Sequence, residues 1–239
     1  MSRSEDEPAR TLLGALLAGP VTPELSGRAS AALDLPERGR YAVVALPAGG
    51  CGGDWCTGPG ADRFLRHPGP ERDFAVAALG DVEPTLVARR LNEMNAGRGG
   101  VGPAVGSLAE LSTGRRLAEV ALLACPPDGT TVVALEQCLP AALLAVQPEL
   151  ADHLVMGVLG TLLTLPRTER DLLVGTLDTW LECGGSAGRA AAALYCHRNT
   201  VLNRLRRLER LTARSLSRPR ELVELTLALD ALRLTPSRR

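Results

Sequence analysis

Residues 186–211 read SAGRAAAALYCHRNTVLNRLRRLERL, and the reading of this stretch decides the rest. A short, alanine-dominated helix comes first, with Ala187, Ala190, Ala191 and Leu194 at helical spacing on one face. Side chains that small let two helices cross closely. Tyr195-Cys196 then interrupts the pattern, and an arginine-rich helix follows. On it, Val201, Leu205 and Leu208 form an apolar stripe. At about 100° per residue the opposite face carries Asn199, Asn203, Arg206 and Arg210, with Arg207 beside it. Amide and guanidinium groups are the ones that read adenine and guanine edges bidentately. From His197 to Arg214 there are six arginines and one acid, Glu209, a net +5. That charge density seeks phosphate. Two helices joined by a short turn, the second one basic, make the pattern of a helix-turn-helix whose second helix enters the DNA major groove. The plainer reading is a solvated basic helix on the outside of a bundle.

The same residues carry a family resemblance. His197-Arg198-Asn199-Thr200-Val201, followed by Arg204-Leu205, resembles the signature of the C-terminal helix-turn-helix of PucR/CdaR-type bacterial transcription regulators. Upstream, Leu173, Leu177, Trp180-Leu181 and Gly184-Gly185-Ser186 look like the first helix and turn of that domain. Downstream, Leu222, Leu225 and Leu227-Ala228-Leu229 look like its closing helix. The resemblance covers about 167–235. The chain departs from the pattern at Asn203, where an aromatic or histidine is usual, and at Ala213, where glycine commonly ends the recognition helix.

The resemblance implies a sequence-specific regulator that binds double-stranded DNA through helix 198–211. Backbone N–H groups and Arg198 at the helix start would hold phosphate. Asn199, Asn203 and Arg206 would face base edges, and Arg207, Arg210 and Arg214 would lie along the backbone. His197 and Thr200 would cap and orient the helix start. One such helix gives little specificity, so a two-fold homodimer on a palindromic or repeated site is expected.

Composition bounds the remainder. At 239 residues the chain holds one large or two small domains, and 45% apolar residues supply their cores. Aromatics are only 3%, too few for a single-strand stacking platform. Every basic side chain is arginine, a bias of codon composition. Zero net charge hides an asymmetry. Residues 1–166 hold 13 Arg and 19 acids, a net −6, and residues 167–239 hold 14 Arg and 8 acids, a net +6. A basic C-terminal unit beside an acidic body suits a nucleic-acid binder with a separate regulatory or assembly part.

The opening MSRSEDEPAR has three acids and no secretory apolar core after it, so no signal peptide is read. Leu154 to Leu165, the longest uncharged apolar stretch near the middle, is too short to span a bilayer. A cytoplasmic protein without membrane contact is expected, with its six cysteines as reduced thiols. Cys51 and Cys56 form the only close couple. Without nearby histidines they make a poor zinc site, and a redox role for them is left open.

Along the chain, 10–18 and 23–34 read as short helices, and Tyr41 to Leu46 (YAVVAL) as a fully apolar strand. Residues 47–62, rich in glycine and proline, read as loop. Residues 63–65 and 73–79 predict a hairpin across His67–Pro70. Residues 84–94 predict a helix, and 101–105 a strand weakened by glycine. Ser107 to Ala124 predicts a helix with Ser107 and Glu110 as a capping box. Residues 130–135 predict a further strand. The order is α+β with a mostly antiparallel sheet. It resembles the degenerate GGDEF-like domain that precedes the helix-turn-helix in PucR/CdaR-type regulators. The best local match runs from Val101-Gly102 through Ser107-Leu108-Ala109-Glu110-Leu111 to Ala118, Ala121 and Leu122.

Gly52-Gly53-Asp54-Trp55 invites an enzymatic reading, because cyclases of the GGDEF kind hold nucleotide and metal on such a motif. Here tryptophan replaces the acid after Asp54, and the tetrapeptide follows the first strand instead of sitting at the hairpin. No lysine exists to meet a triphosphate, and no second carboxylate is placed for two-metal chemistry. A glycine-rich surface loop is the better reading, and no catalysis, metal or cofactor is expected. His67 and His153 have no partners in sequence.

The expected organisation is an N-terminal helical segment (1–35), a GGDEF-like sheet-and-helix domain (36–138), connector helices (139–166) and an all-α helix-turn-helix domain (167–239). Within the last, Leu172, Leu173, Leu177, Trp180 and Leu181 are expected to face inward, Ser186 to cap the alanine helix, and Leu222, Leu225, Leu229 and Leu232 to line the closing helix. Two other classes stay in view: a GGDEF-derived nucleotide-binding protein or enzyme, and a protein-interaction adaptor that no longer binds DNA. The effector, the target site and the sign of regulation are not legible.

Overall fold

The computed structural model describes residues 6–50 and 64–234. Gly52-Gly53-Asp54-Trp55, Cys51 and Cys56 lie outside the described residues. The chain forms two compact units, Met1–Val146 and Gln147–Arg239.

The first unit is built on β1 (Arg38–Pro47). Tyr41 to Leu46 are buried without a break, so both faces of this strand are covered. Tyr41, Val43 and Ala45 join the core beneath α1 (Asp6–Ala18), α2 (Pro23–Leu33) and α4 (Leu111–Leu123). Ala42, Val44 and Leu46 point the other way, into a second core closed by Val87, Ala88 and Leu91 of α3 (Pro84–Glu93). The two-residue period of the strand thus feeds two helical layers.

The hairpin expected from the sequence is present. β2 (Phe64–His67) and β3 (Arg72–Ala78) pair antiparallel from Phe64 opposite Ala77 to His67 opposite Phe74. β3 and β4 (Gly99–Val101) flank β1, both antiparallel to it. β6 (Val132–Ala134) then adds to β4 in parallel, giving the order β2-β3-β1-β4-β6, with β5 (Val105–Ser107) pairing β1 off this path. The fold is α+β with a mixed sheet.

Several expectations need correction. The strand expected at 101–105 is two strands, interrupted from Gly102 to Ala104, and the first of them starts earlier, at Gly99. A Cβ on Gly100 would come within 2.2 Å of the Leu122 backbone nitrogen and 2.5 Å of the Ala118 carbonyl oxygen. Glycine is what lets β4 lie directly on α4. The expected capping box does not form either. Ser107 and Glu110 meet side chain to side chain at 2.9 Å, and Glu110 accepts the Gly106 N–H at 3.0 Å. A 3-10 turn, Leu108–Glu110, intervenes, and α4 begins at Leu111. Others, in the connector, α7 and the start of α9, are given below.

Polar side chains fix the helices to the sheet. Asn92 donates to the Val132 carbonyl at 2.8 Å and accepts its N–H at 2.6 Å, so α3 replaces a missing strand neighbour for β6. Arg98 donates to the Leu122 and Cys125 carbonyls, each at 2.9 Å, closing the C-terminal end of α4. The stretch expected as a connector is divided: α5 (Leu139–Ala145) belongs to the first unit and α6 (Pro148–Leu163) to the second.

The second unit is entirely helical among the described residues. α6 buries Val155, Val158, Leu159 and Leu162, and packs against α9 (Arg198–Thr212) and α10 (Pro219–Leu234). α10 contributes Leu225, Ala228, Leu229 and Leu232. α7 (Arg167–Glu182) buries Leu173, Thr176 and Leu177. Leu172, expected inside, is 47% exposed, and Trp180 and Leu181 are half-buried. The inner stripe is thus Leu173, Thr176 and Leu177, and a threonine belongs to it. The Thr176 hydroxyl donates to the Leu172 carbonyl at 2.7 Å, which satisfies it on burial. Among the described residues, no single helix is long and apolar enough to cross a membrane.

Candidate nucleic-acid interface

The alanine-rich stretch is held between two sharp turns. α7 ends at Gly184 and Gly185, with φ of +60° and +77°. Gly185 N–H reaches back to the Trp180 carbonyl at 2.9 Å, a left-handed helix stop that glycine makes without strain. Ser186 then caps α8 (Ala187–Ala193), its hydroxyl accepting the Arg189 N–H at 3.3 Å. Ala190 and Ala191 are the buried residues of α8 and meet α9.

The turn into α9 passes through Tyr195, which has φ +50° and is 97% exposed. His197 occupies the N-cap position of α9 in extended backbone, yet its side chain makes no capping bond. The helix start is organised by the His197 carbonyl, which accepts the Thr200 N–H at 2.9 Å.

α9 is amphipathic in the expected register. Val201, Leu205, Leu208 and Thr212 are buried. Arg198, Asn199, Asn203, Arg206, Arg207 and Arg210 are all exposed, and Thr200 is half-buried. The arginines divide into two sets that the sequence did not separate. Arg204 is directed to α7, where it donates to the Thr176 hydroxyl at 3.4 Å. Arg207 makes an ion pair with Glu169 of α7. Arg214, beyond the helix, pairs with Glu224 of α10 at 2.6 Å. By contrast, Arg206 touches only Asn203, at 3.4 Å, and Arg198 and Arg210 have no side-chain partner among the described residues. The structure therefore leaves Arg198, Asn199, Asn203, Arg206 and Arg210 as an unbraced polar ridge. It gives Arg207 and Arg214 an acidic partner each.

The end of α9 was not legible. Ala213 takes the left-handed conformation, φ +51°, at the position where glycine is usual. Glu209, the one acid of the basic helix, turns to the following loop and accepts from Leu216 N–H at 2.8 Å and the Ser215 hydroxyl at 3.3 Å. Glu221 accepts the Ser215 N–H at 2.6 Å and pairs with Arg218 at 2.9 Å. Arg218, then the Ser215 N–H, hold the Glu221 carboxyl below the usual range. Two carboxylates thus shape the loop between α9 and α10. The only sequence signal for this was an isolated acid, Glu209, amid arginines.

Other groups with latent chemistry are occupied structurally. His67 has no partner adjacent in sequence, but its ring seats against Gly14 of α1. Burial, then Arg115, pushes its pKa down, opposed by a hydrogen bond to the Arg10 backbone. Burial raises the Cys138 thiol to about 11, which disfavours the reactive thiolate. Among the described residues, no group of three or more His, Cys, Asp or Glu side chains is placed to hold a metal.

Comparison with known proteins bears on this same region. Residues 173–231 match the PucR C-terminal helix-turn-helix domain. Uncharacterised proteins of Mycobacterium bovis and of two Mycobacterium tuberculosis strains are each 41% identical to the chain over 56 residues. That match covers 23% of this chain and 14% of each relative, so the alignment spans a small part of those longer proteins. Among solved structures, a regulator of polyketide synthase expression from Bifidobacterium adolescentis is similar at 21% identity and a TM-score of 0.45, over 95% of this chain and 92% of that one.

Proposed function

We propose that the chain is a sequence-specific DNA-binding transcription regulator of the PucR/CdaR kind that inserts α9 into the major groove. One observation carries the reading: α9 presents an exposed ridge of Asn199, Asn203, Arg206 and Arg210 while its other face is buried against the alanine layer of α8. Those side chains are free to exchange water for base edges and phosphates. The match of residues 173–231 to a helix-turn-helix domain supports the same role. In this reading Arg198 and the first N–H groups of α9 hold phosphate, Asn199, Asn203 and Arg206 face base edges, and Arg210 follows the backbone. Thr200 orients the helix start. Arg207 acts as a brace that sets the angle of α9 on α7, with its charge still near the duplex.

The first unit, acidic overall, would serve regulation or self-association without catalysis. β1 and β2 both run antiparallel to the intervening β3, and β4 lies antiparallel on the other side of β1. That split arrangement supports a GGDEF-like body over residues 36–138. A homodimer on a two-fold or repeated site follows from the limited reach of one recognition helix, and acting on bacterial DNA would place it in the cytoplasm.

The experiment is selection of bound duplexes from genomic fragments, followed by binding of Asn203→Ala and Arg206→Ala variants. Each variant is expected to lose about 1–3 kcal/mol at one base position and to relax preference there. Equal loss on every sequence would make these phosphate contacts and overturn the assignment of base readout.

A further inference from the structure

The last turn of α9, the loop after it and the first turn of α10 border a shallow, open depression of about 480 Å³. Four arginines line it, Arg206, Arg210, Arg214 and Arg218, against two acids, Glu209 and Glu221. The acids are already committed. Glu209 holds the Leu216 N–H and the Ser215 hydroxyl, and Glu221 holds the Ser215 N–H and one nitrogen of Arg218. Arg214 is drawn to Glu224. Arg210 has no carboxylate partner among the described residues, and the side chain of Arg218 remains 74% exposed despite its pair. The lining therefore carries surplus positive charge on an open surface that a duplex backbone can reach.

We infer that this depression seats one phosphodiester group of a duplex backbone, held by Arg210 and Arg218. The inference rests on the reading of α9 as the DNA helix and extends the footprint to Arg218, which lies outside α9 and its turn. Guanidinium forks match the oxygens of a phosphate bidentately, and two forks from different elements fix its position. Glu209 and Glu221 act as positioning residues: by holding the loop, they keep the arginine at its far end opposite the one on the helix. Such a contact sets the register of α9 on the duplex and carries no base information.

The test measures association of the full chain with a selected duplex and a random duplex over a range of salt concentrations. Arg210→Ala and Arg218→Ala are each expected to lower the slope of log K against log salt by about one on both duplexes, with base preference unchanged. Arg218→Lys, which keeps the charge, should restore most of the slope. Because Arg218 also touches Glu221, Arg210→Ala serves as the variant without that complication. Unchanged slopes for both alanine variants, in a chain that still binds DNA, overturn the seat alone. A loss confined to one base position also overturns it. Perturbation of both arginine side-chain resonances by inorganic phosphate, with no effect of either variant on duplex binding, assigns the depression to free phosphate and counts against the duplex. An unsubstituted chain that binds no duplex at low ionic strength overturns the proposed function and the seat together.

Discussion

Both units tie some arginines internally and expose others, and they differ in how the exposed ones are grouped. In the first, several arginines are ties, and exposed ones such as Arg28, Arg38 and Arg116 are scattered over α2, β1 and α4. Arg98 closes the end of α4 on two carbonyls, and Arg40 spans the Gly80 carbonyl and Glu83 at 3.1 and 2.7 Å. Arg115 lies 4.6 Å over the Phe74 ring and also reaches Glu119. In the second unit, Arg204 and Arg207 are ties as well, but Arg198, Arg206 and Arg210 are left facing outward. Small residues also divide between the units. Gly100 brings strand backbone onto helix backbone, whereas Ala190 and Ala191 bring helix onto helix. The charge of a segment is thus a poor guide to binding until the internally committed side chains are subtracted.

Substitutions can break or sharpen that contrast. The largest effect is expected in the first unit. Gly100→Ala puts a methyl within 2.2 Å of helix backbone, which no rotamer change relieves. It should cost about 3 kcal/mol of stability or more by denaturant unfolding. A neutral result would mean that β4 and α4 are not in backbone contact.

In the second unit, Ala191→Leu should cost about 1–3 kcal/mol by overpacking the α8–α9 crossing. Helix crossings yield more readily than a strand seated on a helix, so the loss should be smaller than for Gly100→Ala. An effect near zero would place Ala191 on an exposed face. The smallest effect has the opposite sign. Ala213→Gly should stabilise by about 0.5–1 kcal/mol, because the left-handed conformation at φ +51° strains alanine and not glycine. A loss of stability would show that α9 ends elsewhere.

Much of this was legible because it depends on period. The unbroken run Tyr41–Leu46 announced a strand buried on both sides, and the 3.6-residue stripe Val201, Leu205, Leu208 announced the buried side of α9. Local chemistry also served where one residue acts on its own neighbourhood, as Ser186 does for α8. What stayed hidden in the sequence depended on distant partners. The close seating of Gly100 on α4 was hidden because its helix neighbours, Ala118 to Leu122, lie some twenty residues on. The pairing of Arg207 with Glu169 and of Arg214 with Glu224 could not be read from the sequence. Ser107 and Glu110 had the spacing of a capping box, but the chain enters α4 through a 3-10 turn, and the two side chains bond each other instead.

The most direct measurement of the central claim is a mobility shift of the intact chain on fragments of its source genome at low ionic strength. It should be set beside an Asn203→Ala/Arg206→Ala/Arg210→Ala variant whose fold is verified by circular dichroism. A discrete shift of selected fragments by the unsubstituted chain, abolished in the folded variant, is the result expected. Failure of the unsubstituted chain to shift any fragment, or an unchanged shift by the triple variant, would contradict the assignment of α9 as the recognition helix.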